Sequence, residues 1–318
     1  MFDDGSAHAK AESALKRRKY VIYDVFSDKP LAGNPLAVVL EAEGLDTAAM
    51  RRIAREFNLS ETVFVLPPSR QAHTAAIRIF MPNGELPFAG HPTVGAAVAL
   101  TETGKANAGD TGALLVLEEK IGDVRCAVLT GRGAPFAEFD LPKLPQPLDL
   151  TTETGSIAAA LGLGPHEVGF ENHVPSLWSA GVPYVCVPVA GLDVAGRVRV
   201  DPALWLESAP RVNGAVCAPY LYCRDTVGHD SAFHARMFAP WDGIAEDPAT
   251  GSAAAALAGA IVHFDGPEPG SHRCWIEQGI EMGRPSRIRL EIDVEDRVMT
   301  GARIGGHAVK VAEGTLNL

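Results

Sequence analysis

Glu61, His91 and Asp247 are the side chains whose types and settings fit proton transfer. His91 follows Gly90 in Glu85-Leu-Pro-Phe-Ala-Gly-His-Pro-Thr93, and Asp247 precedes Gly251 and Ser252 in Glu246-Asp-Pro-Ala-Thr-Gly-Ser-Ala253. In each stretch an acid lies five residues before a glycine, Glu85 before Gly90 and Glu246 before Gly251, and a polar residue follows that glycine. Glu61 stands thirty residues before His91, at the mouth of the apolar segment 62–66. A carboxylic acid, an imidazole, a second carboxyl and a few backbone N–H donors around one cleft suffice to move a proton on a small carboxylic acid. The donors hold the substrate's carboxylate and take up charge as it develops. Such chemistry requires no metal or organic cofactor. The candidate catalytic residues are therefore Glu61, His91 and Asp247, and the candidate substrate-binding residues are Gly90, Gly251 and Ser252.

Taken singly these residues are ordinary: a glutamate at a strand mouth, a histidine cap, a proline turn. Their duplication lifts them, because a buried helix needs no glycine-polar entrance at matching places in both halves of a chain. Each stretch is a loop feeding a helix. Pro92 has no N–H to donate and suits a first helical turn, while the residue before a proline is pushed out of the helical region, which makes His91 the expected N-cap. Ser252 takes the same place by its own chemistry. The runs that follow are built almost wholly from Ala, Gly, Val and Leu, and a helix apolar all round is a buried one. Its first turn leaves N–H groups unpaired and a positive partial charge of about half a unit, a ready site for an anion. The two glycines lie 161 residues apart in a chain of 318, which suggests two similar halves facing one cleft.

Composition bounds the rest. A net charge of −11 argues against a nucleic-acid partner, since no basic patch exists to displace counterions from phosphate. The one basic run, Lys16-Arg-Arg-Lys19, reads as a solvated tail. Five cysteines with no Cys-x-x-Cys pair argue against a disulfide framework and fit a reducing cytoplasm. No signal peptide or membrane span is expected, because no run reaches the roughly 18 apolar residues that a span needs. Strands are expected at residues 20–26, 36–40, 62–66, 74–80, 113–117, 124–129, 184–188, 214–222, 231–238, 288–292, 298–304 and 307–312, with helices at 47–57, 154–161 and 202–207 besides the two buried ones. Prolines 135, 142, 145 and 147 mark a linker. The fold class is α+β: two pseudosymmetric domains, each a curved, mostly antiparallel sheet wrapped around a buried Ala-rich helix. Residues 1–19 are an extension, 20–145 the first half and 146–318 the second.

Asn58-Leu-Ser-Glu-Thr-Val-Phe64, Glu85 to Thr93, and Met237-Phe-Ala-Pro240 followed after five residues by Glu246 to Ala253 together resemble the phenazine-biosynthesis PhzF-like isomerase family. Gly33-Asn-Pro35, Gln278-Gly279 and Met282-Gly-Arg-Pro-Ser286 agree with it. The resemblance runs from Tyr20 onward. It implies the diaminopimelate-epimerase-like fold, a homodimer, and a last strand that crosses back to complete the first domain. By the same resemblance Glu61 is the acid/base, while His91, Asp247 and Ser252 line the pocket and fix the substrate. Gly90-His91 and Gly251-Ser252 supply main-chain donors.

Epimerases and racemases of the wider fold place a cysteine just before each glycine, and two thiols work on opposite faces of one carbon. Those places hold Ala89 and Thr250, so the two-thiol route is closed. A single carboxyl takes a proton from one carbon and returns it to another on the same face. That is an isomerisation shifting a double bond, as the family implies for a dihydro-hydroxyanthranilate. A glutamate that ordinarily titrates near ~4.3 needs burial to lift it toward roughly 6–7 for this work. The alternative is a small-acid-binding or protein-interaction member of the fold that performs no chemistry. Nucleotide phosphate binding is weaker still, for neither stretch contains Gly-x-x-x-x-Gly-Lys or Gly-x-Gly-x-x-Gly.

Overall fold

The computed structural model describes residues 17–318. In chain order the elements are β1 (Arg17–Val25), β2 (Asn34–Val39), α1 (Thr47–Phe57), β3 (Glu61–Leu66), β4 (Ala75–Phe80), β5 (Glu85–Leu86), α2 (Gly90–Glu102), β6 (Gly112–Glu119), β7 (Gly122–Leu129), β8 (Phe136–Asp140) and β9 (Gln146–Leu148). There follow α3 (Thr154–Ala160), β10 (Ser176–Ser179), β11 (Pro183–Pro188), α4 (Leu192–Arg197), α5 (Pro202–Ser208), β12 (Arg211–Val212), β13 (Ala215–Val216), β14 (Ala218–Cys223), β15 (Phe233–Ala239), β16 (Ile244–Asp247), α6 (Gly251–Asp265), β17 (Gly270–Gln278), β18 (Ser286–Glu295) and β19 (Val298–Asn317). The result is a mixed α/β fold with few helices. Among the described residues seventeen strands form one hydrogen-bonded, barrel-like sheet, and β12 with β13 makes a separate ribbon.

Local chemistry accounts for the elements that sequence reasoning placed well. Asp46 accepts a hydrogen bond from Ala49 N at the start of α1, and Asn58 leaves it in the left-handed region at φ 51°, so both ends are satisfied without tertiary help. Helices α2 and α6 are buried from Gly90 to Thr101 and from Gly251 to Ile261. Strands β1, β2, β3, β6, β7, β8 and β19 surround α2, while β9, β10, β11, β18 and β19 pack on α6. Small side chains on both helices permit that close wrapping.

The pairing order repeats along the chain. In the first series β2–β3 is parallel, β3–β4 and β4–β5 antiparallel, and β4–β6 parallel. In the second β11–β14 is parallel, β14–β15 and β15–β16 antiparallel, and β15–β17 parallel. A parallel pair needs a crossover. Helix α2 lies in the crossover from β4 to β6 and α6 in that from β15 to β17, so a β-hairpin delivers each helix start.

Four expectations require correction. Strand β1 begins at Arg17 and its first residues pair with the end of β19 (Arg17 with Asn317, Lys19 with Thr315), so the basic run is not a solvated tail from Arg17 on. The remainder of the expected extension, residues 1–16, lies outside the described residues. The proline-rich stretch 135–147 is no structureless linker: β8 pairs with β7 and β19, its Phe136 and Phe139 are buried, and only the exposed strand β9 contains a proline. Segment 214–222 divides into β13 and β14. Finally, the two strands expected on either side of Gly305-Gly306 are one strand, β19. A Cβ on Gly305 would meet Glu138 Cβ and Phe136 at 2.8 Å, and one on Gly306 would meet Phe26 at 2.4 Å. These glycines serve close approach, not a turn. Among the described residues no helix is long and apolar enough to cross a membrane.

Phe26 is fully buried and cannot swing aside. Gly306→Ala should therefore lower the unfolding free energy by about 1–3 kcal/mol, as overpacked cores do, measured by urea denaturation.

Candidate active site

Helices α2 and α6 meet start to start. A Cβ built on Gly90 would lie 2.7 Å from Gly251 Cα, and one on Gly251 3.0 Å from Gly90 Cα. Main chain touches main chain there, and only glycine permits it. This contact corrects the expected caps. The N-cap residues are Ala89 and Thr250, neither with a side-chain cap bond, and His91 and Ser252 are second residues of their helices. Helical side chains tilt toward the amino end, which turns both into the cleft. The N–H groups of Gly90, His91, Gly251 and Ser252 have no hydrogen-bond acceptor among the described residues. Four donors and two helix dipoles thus face a cavity of about 270 Å³, lined by Glu61, His91, Asp247 and Ser252 together with Met81, Phe88, Met237 and Ile244.

All six sequence-predicted residues come together at this cavity. Glu61 opens β3, and its Oε2 lies 3.5 Å from Nε2 of His91. Both atoms are buried and neither makes a hydrogen bond among the described residues. Burial, reinforced by the charge of Asp247, pushes the Glu61 carboxyl up to about 8. Burial also drives His91 down to about 3, so the imidazole is neutral. Asp247 is raised by burial to about 6, restrained by hydrogen bonds from Thr250 and Asn34. One carboxyl therefore favours its acid form at neutral pH while its neighbour favours its anion. Ser252 Oγ lies 2.9 Å from the Tyr184 hydroxyl.

Sequence reasoning missed the residues that hold this set. Asn34 Nδ2 donates to Asp247 Oδ1 and to Ala249 O, both at 2.9 Å. Gln278 Nε2 donates to the main-chain oxygen of Asp247 at 2.7 Å and to Thr250 Oγ1 at 3.0 Å, and Gln278 Oε1 accepts from Thr250 N at 3.1 Å. Thr250 donates its hydroxyl to Asp247 Oδ2. Gly33-Asn-Pro35 and Gln278-Gly279 were the available signals. Tyr184, inside an apolar strand, gave none.

The duplicated acids Glu85 and Glu246 do other work. Each grips an arginine through two bonds, Glu85 with Arg78 at 2.8 and 2.9 Å and Glu246 with Arg236 at 2.8 and 2.8 Å. Each guanidinium also lies over a phenylalanine, Arg78 on Phe80 at 5.0 Å and Arg236 on Phe238 at 4.8 Å. The braces tie β4 to β5 and β15 to β16, the hairpins that deliver the helix starts. The repeat is broken at Glu61. Phe64 faces Arg78 across β3–β4 and Leu221 faces Arg236 across β14–β15, so the place of Glu61 in β3 is taken in β14 by Ala218, which also lines the cavity.

The family model described as "Phenazine biosynthesis-like protein" matches residues 23–314. An uncharacterised isomerase of Mesorhizobium japonicum is 62% identical over 95% of this chain and 99% of its own length. Trans-2,3-dihydro-3-hydroxyanthranilate isomerase of Pseudomonas fluorescens is 34% identical over 94% of this chain and 99% of its own. Among solved structures, the Bacillus anthracis phenazine biosynthesis protein of the PhzF family superposes with a TM-score of 0.83 at 28% identity, covering 96% of this chain and 100% of that one.

The shifted carboxyl has a thermodynamic consequence. Glu61 binds its proton more tightly folded, near 8, than its ordinary value of 4.5. Its contribution is thus fully present below about 4.5 and is lost as pH rises to about 8. Glu61→Gln cannot titrate, so its stability relative to the parent should grow by roughly 3 kcal/mol between pH 5 and pH 8. Urea denaturation at the two pH values checks this.

Proposed function

This chain belongs to the phenazine biosynthesis-like protein family, and from that premise we propose that it is a cofactor-independent isomerase. It moves one proton, and with it a double bond, within a small unsaturated cyclic carboxylic acid. The observation that carries the reading is the Glu61 carboxyl. It is buried in an apolar-walled cavity with one oxygen unpartnered, where two helix starts aim four free N–H groups. The substrate class follows the relative that acts on trans-2,3-dihydro-3-hydroxyanthranilate.

In this mechanism the N–H groups of Gly90, His91, Gly251 and Ser252 hold the substrate's carboxylate. Ionised Glu61 takes a proton from a ring carbon, and the electron pair left behind spreads through the conjugated system toward that carboxylate. The helix ends and the neutral imidazole of His91 stabilise the developing charge. Glu61, now the acid, returns the proton to a different carbon, so no net proton is consumed. Asp247 stays anionic through its Asn34 and Thr250 donors, and its charge keeps the proton affinity of Glu61 high. Ala89 and Thr250 offer no thiol for a second route.

The diaminopimelate-epimerase-like division into halves 20–145 and 146–318, and a homodimer, belong to the same reading. The repeated pairing order supports the first, and β19, pairing with β1 and β8 as well as β18, fits a last strand that crosses back.

Abstraction requires the ionised form, so isomerisation of trans-2,3-dihydro-3-hydroxyanthranilate should rise with pH and level off above about 8. Glu61→Gln should lower that turnover on the order of 10³-fold while calorimetry shows ligand binding unchanged. Turnover retained in the variant removes Glu61 from the mechanism, and binding without turnover in the parent leaves a binding protein.

A further inference from the structure

Asn34 is fully buried, does not line the cavity, and bonds on or next to the elements that carry the proposed chemistry. Its Nδ2 donates to Asp247 Oδ1 and Ala249 O ahead of α6, both at 2.9 Å, and lies 3.3 Å from His91 Nδ1 on α2. Its Oδ1 accepts from Ser60 Oγ at 3.1 Å, one residue before Glu61. The amide cannot be turned over, because that would set its oxygen against the carbonyl of Ala249 and the carboxylate of Asp247. A primary amide carries two hydrogens, and these two oxygens take them. A proton on His91 Nδ1 would then point at an NH₂ group. Nδ1 must be bare, and the single proton of the neutral ring sits on Nε2, the atom 3.5 Å from Glu61 Oε2.

We propose that Asn34 is a positioning residue of this site: it locks His91 in the Nε2–H tautomer, with that hydrogen directed at Glu61, and couples the ring to Asp247. The turn before it is built to stay put. Arg284 Nε donates to Gly33 O at 2.8 Å, an Arg284 terminal nitrogen donates to Ala32 O at 2.8 Å and to Asp24 Oδ1 at 2.6 Å, and Gly33 N donates to Pro285 O at 3.2 Å. Gly33 itself holds φ 68° with no room for a side chain, since a Cβ would lie 2.4 Å from Val25 O. Of the titratable groups around the ring, Glu61 from β3 faces its Nε2 and Asp247 from β16 shares the Asn34 amide with its Nδ1. The catalytic consequence rests on the isomerase reading, whereas the tautomer is a property of the free protein.

The test is long-range ¹H–¹⁵N correlation on protein labelled with ¹⁵N-histidine, with the His91 signals assigned by their loss in His91→Gln. The parent should show a protonated Nε2 and a bare Nδ1 at pH 6 and at pH 8. Asn34→Asp replaces the donor by an acceptor of the same shape, and should move the proton to Nδ1 or doubly protonate the ring. With trans-2,3-dihydro-3-hydroxyanthranilate as probe, kcat should fall on the order of 10²-fold with KM changed little. A parent ring protonated on Nδ1, or an unchanged tautomer in Asn34→Asp, overturns the proposal. The parent spectrum decides even where the variant does not fold. It also separates this proposal from the isomerase reading, which fails on absent turnover whatever the tautomer.

Discussion

The rest of the site depends on the contact between Gly90 and Gly251. Two helices packed flank to flank bury their sides and leave their ends in water. Here they abut at their amino ends, so that two sets of unpaired donors converge from opposite directions on one small volume. No side chain fits between the main chains. That is why each helix begins with glycine and why the polar residue follows it. His91 and Ser252 were legible as residues of interest, but their exact helical position was not, because the reason for it lies on the other helix.

Within that volume burial separates the roles. The same loss of water raises Glu61 and Asp247 and lowers His91, favouring the neutral form of each. Hydrogen bonds then break the symmetry. Asp247 receives Asn34 and Thr250, and its anion survives nearer neutrality. The Oε2 of Glu61 accepts no hydrogen bond within ordinary reach among the described residues, His91 Nε2 standing off at 3.5 Å. A carboxyl left unsatisfied in an apolar setting is costly to the fold, and such strain is retained where it serves chemistry.

What could be read from the chain followed the range of the forces. Helix α1 was legible to its ends because Asp46 and Asn58 act within one turn. Helices α2 and α6 were legible because burial on every side erases periodicity. The duplicated stretches pointed to this cavity, since repetition is visible in one dimension. Asn34 and Gln278 stayed hidden as partners, for they act on Asp247 from 213 and 31 residues away in sequence. Gly305 and Gly306 imitated a turn because a glycine needed for a neighbour's bulk looks, in one dimension, like a glycine needed for its own backbone. The prolines near residue 140 misled in the same way: they bracket β8 without interrupting its ladder.

The correspondence of Glu61 with Ala218 bears on handedness. A cleft framed by two like scaffolds presents matching walls to a flat ring, and by itself it has no means of telling top from bottom. At this place one wall carries a carboxyl and the other a methyl group. The asymmetry that the proposed reaction would impart to its product therefore originates in departures from internal likeness at the cavity wall: Glu61 against Ala218, Asp247 against Leu86 and His91 against Ser252.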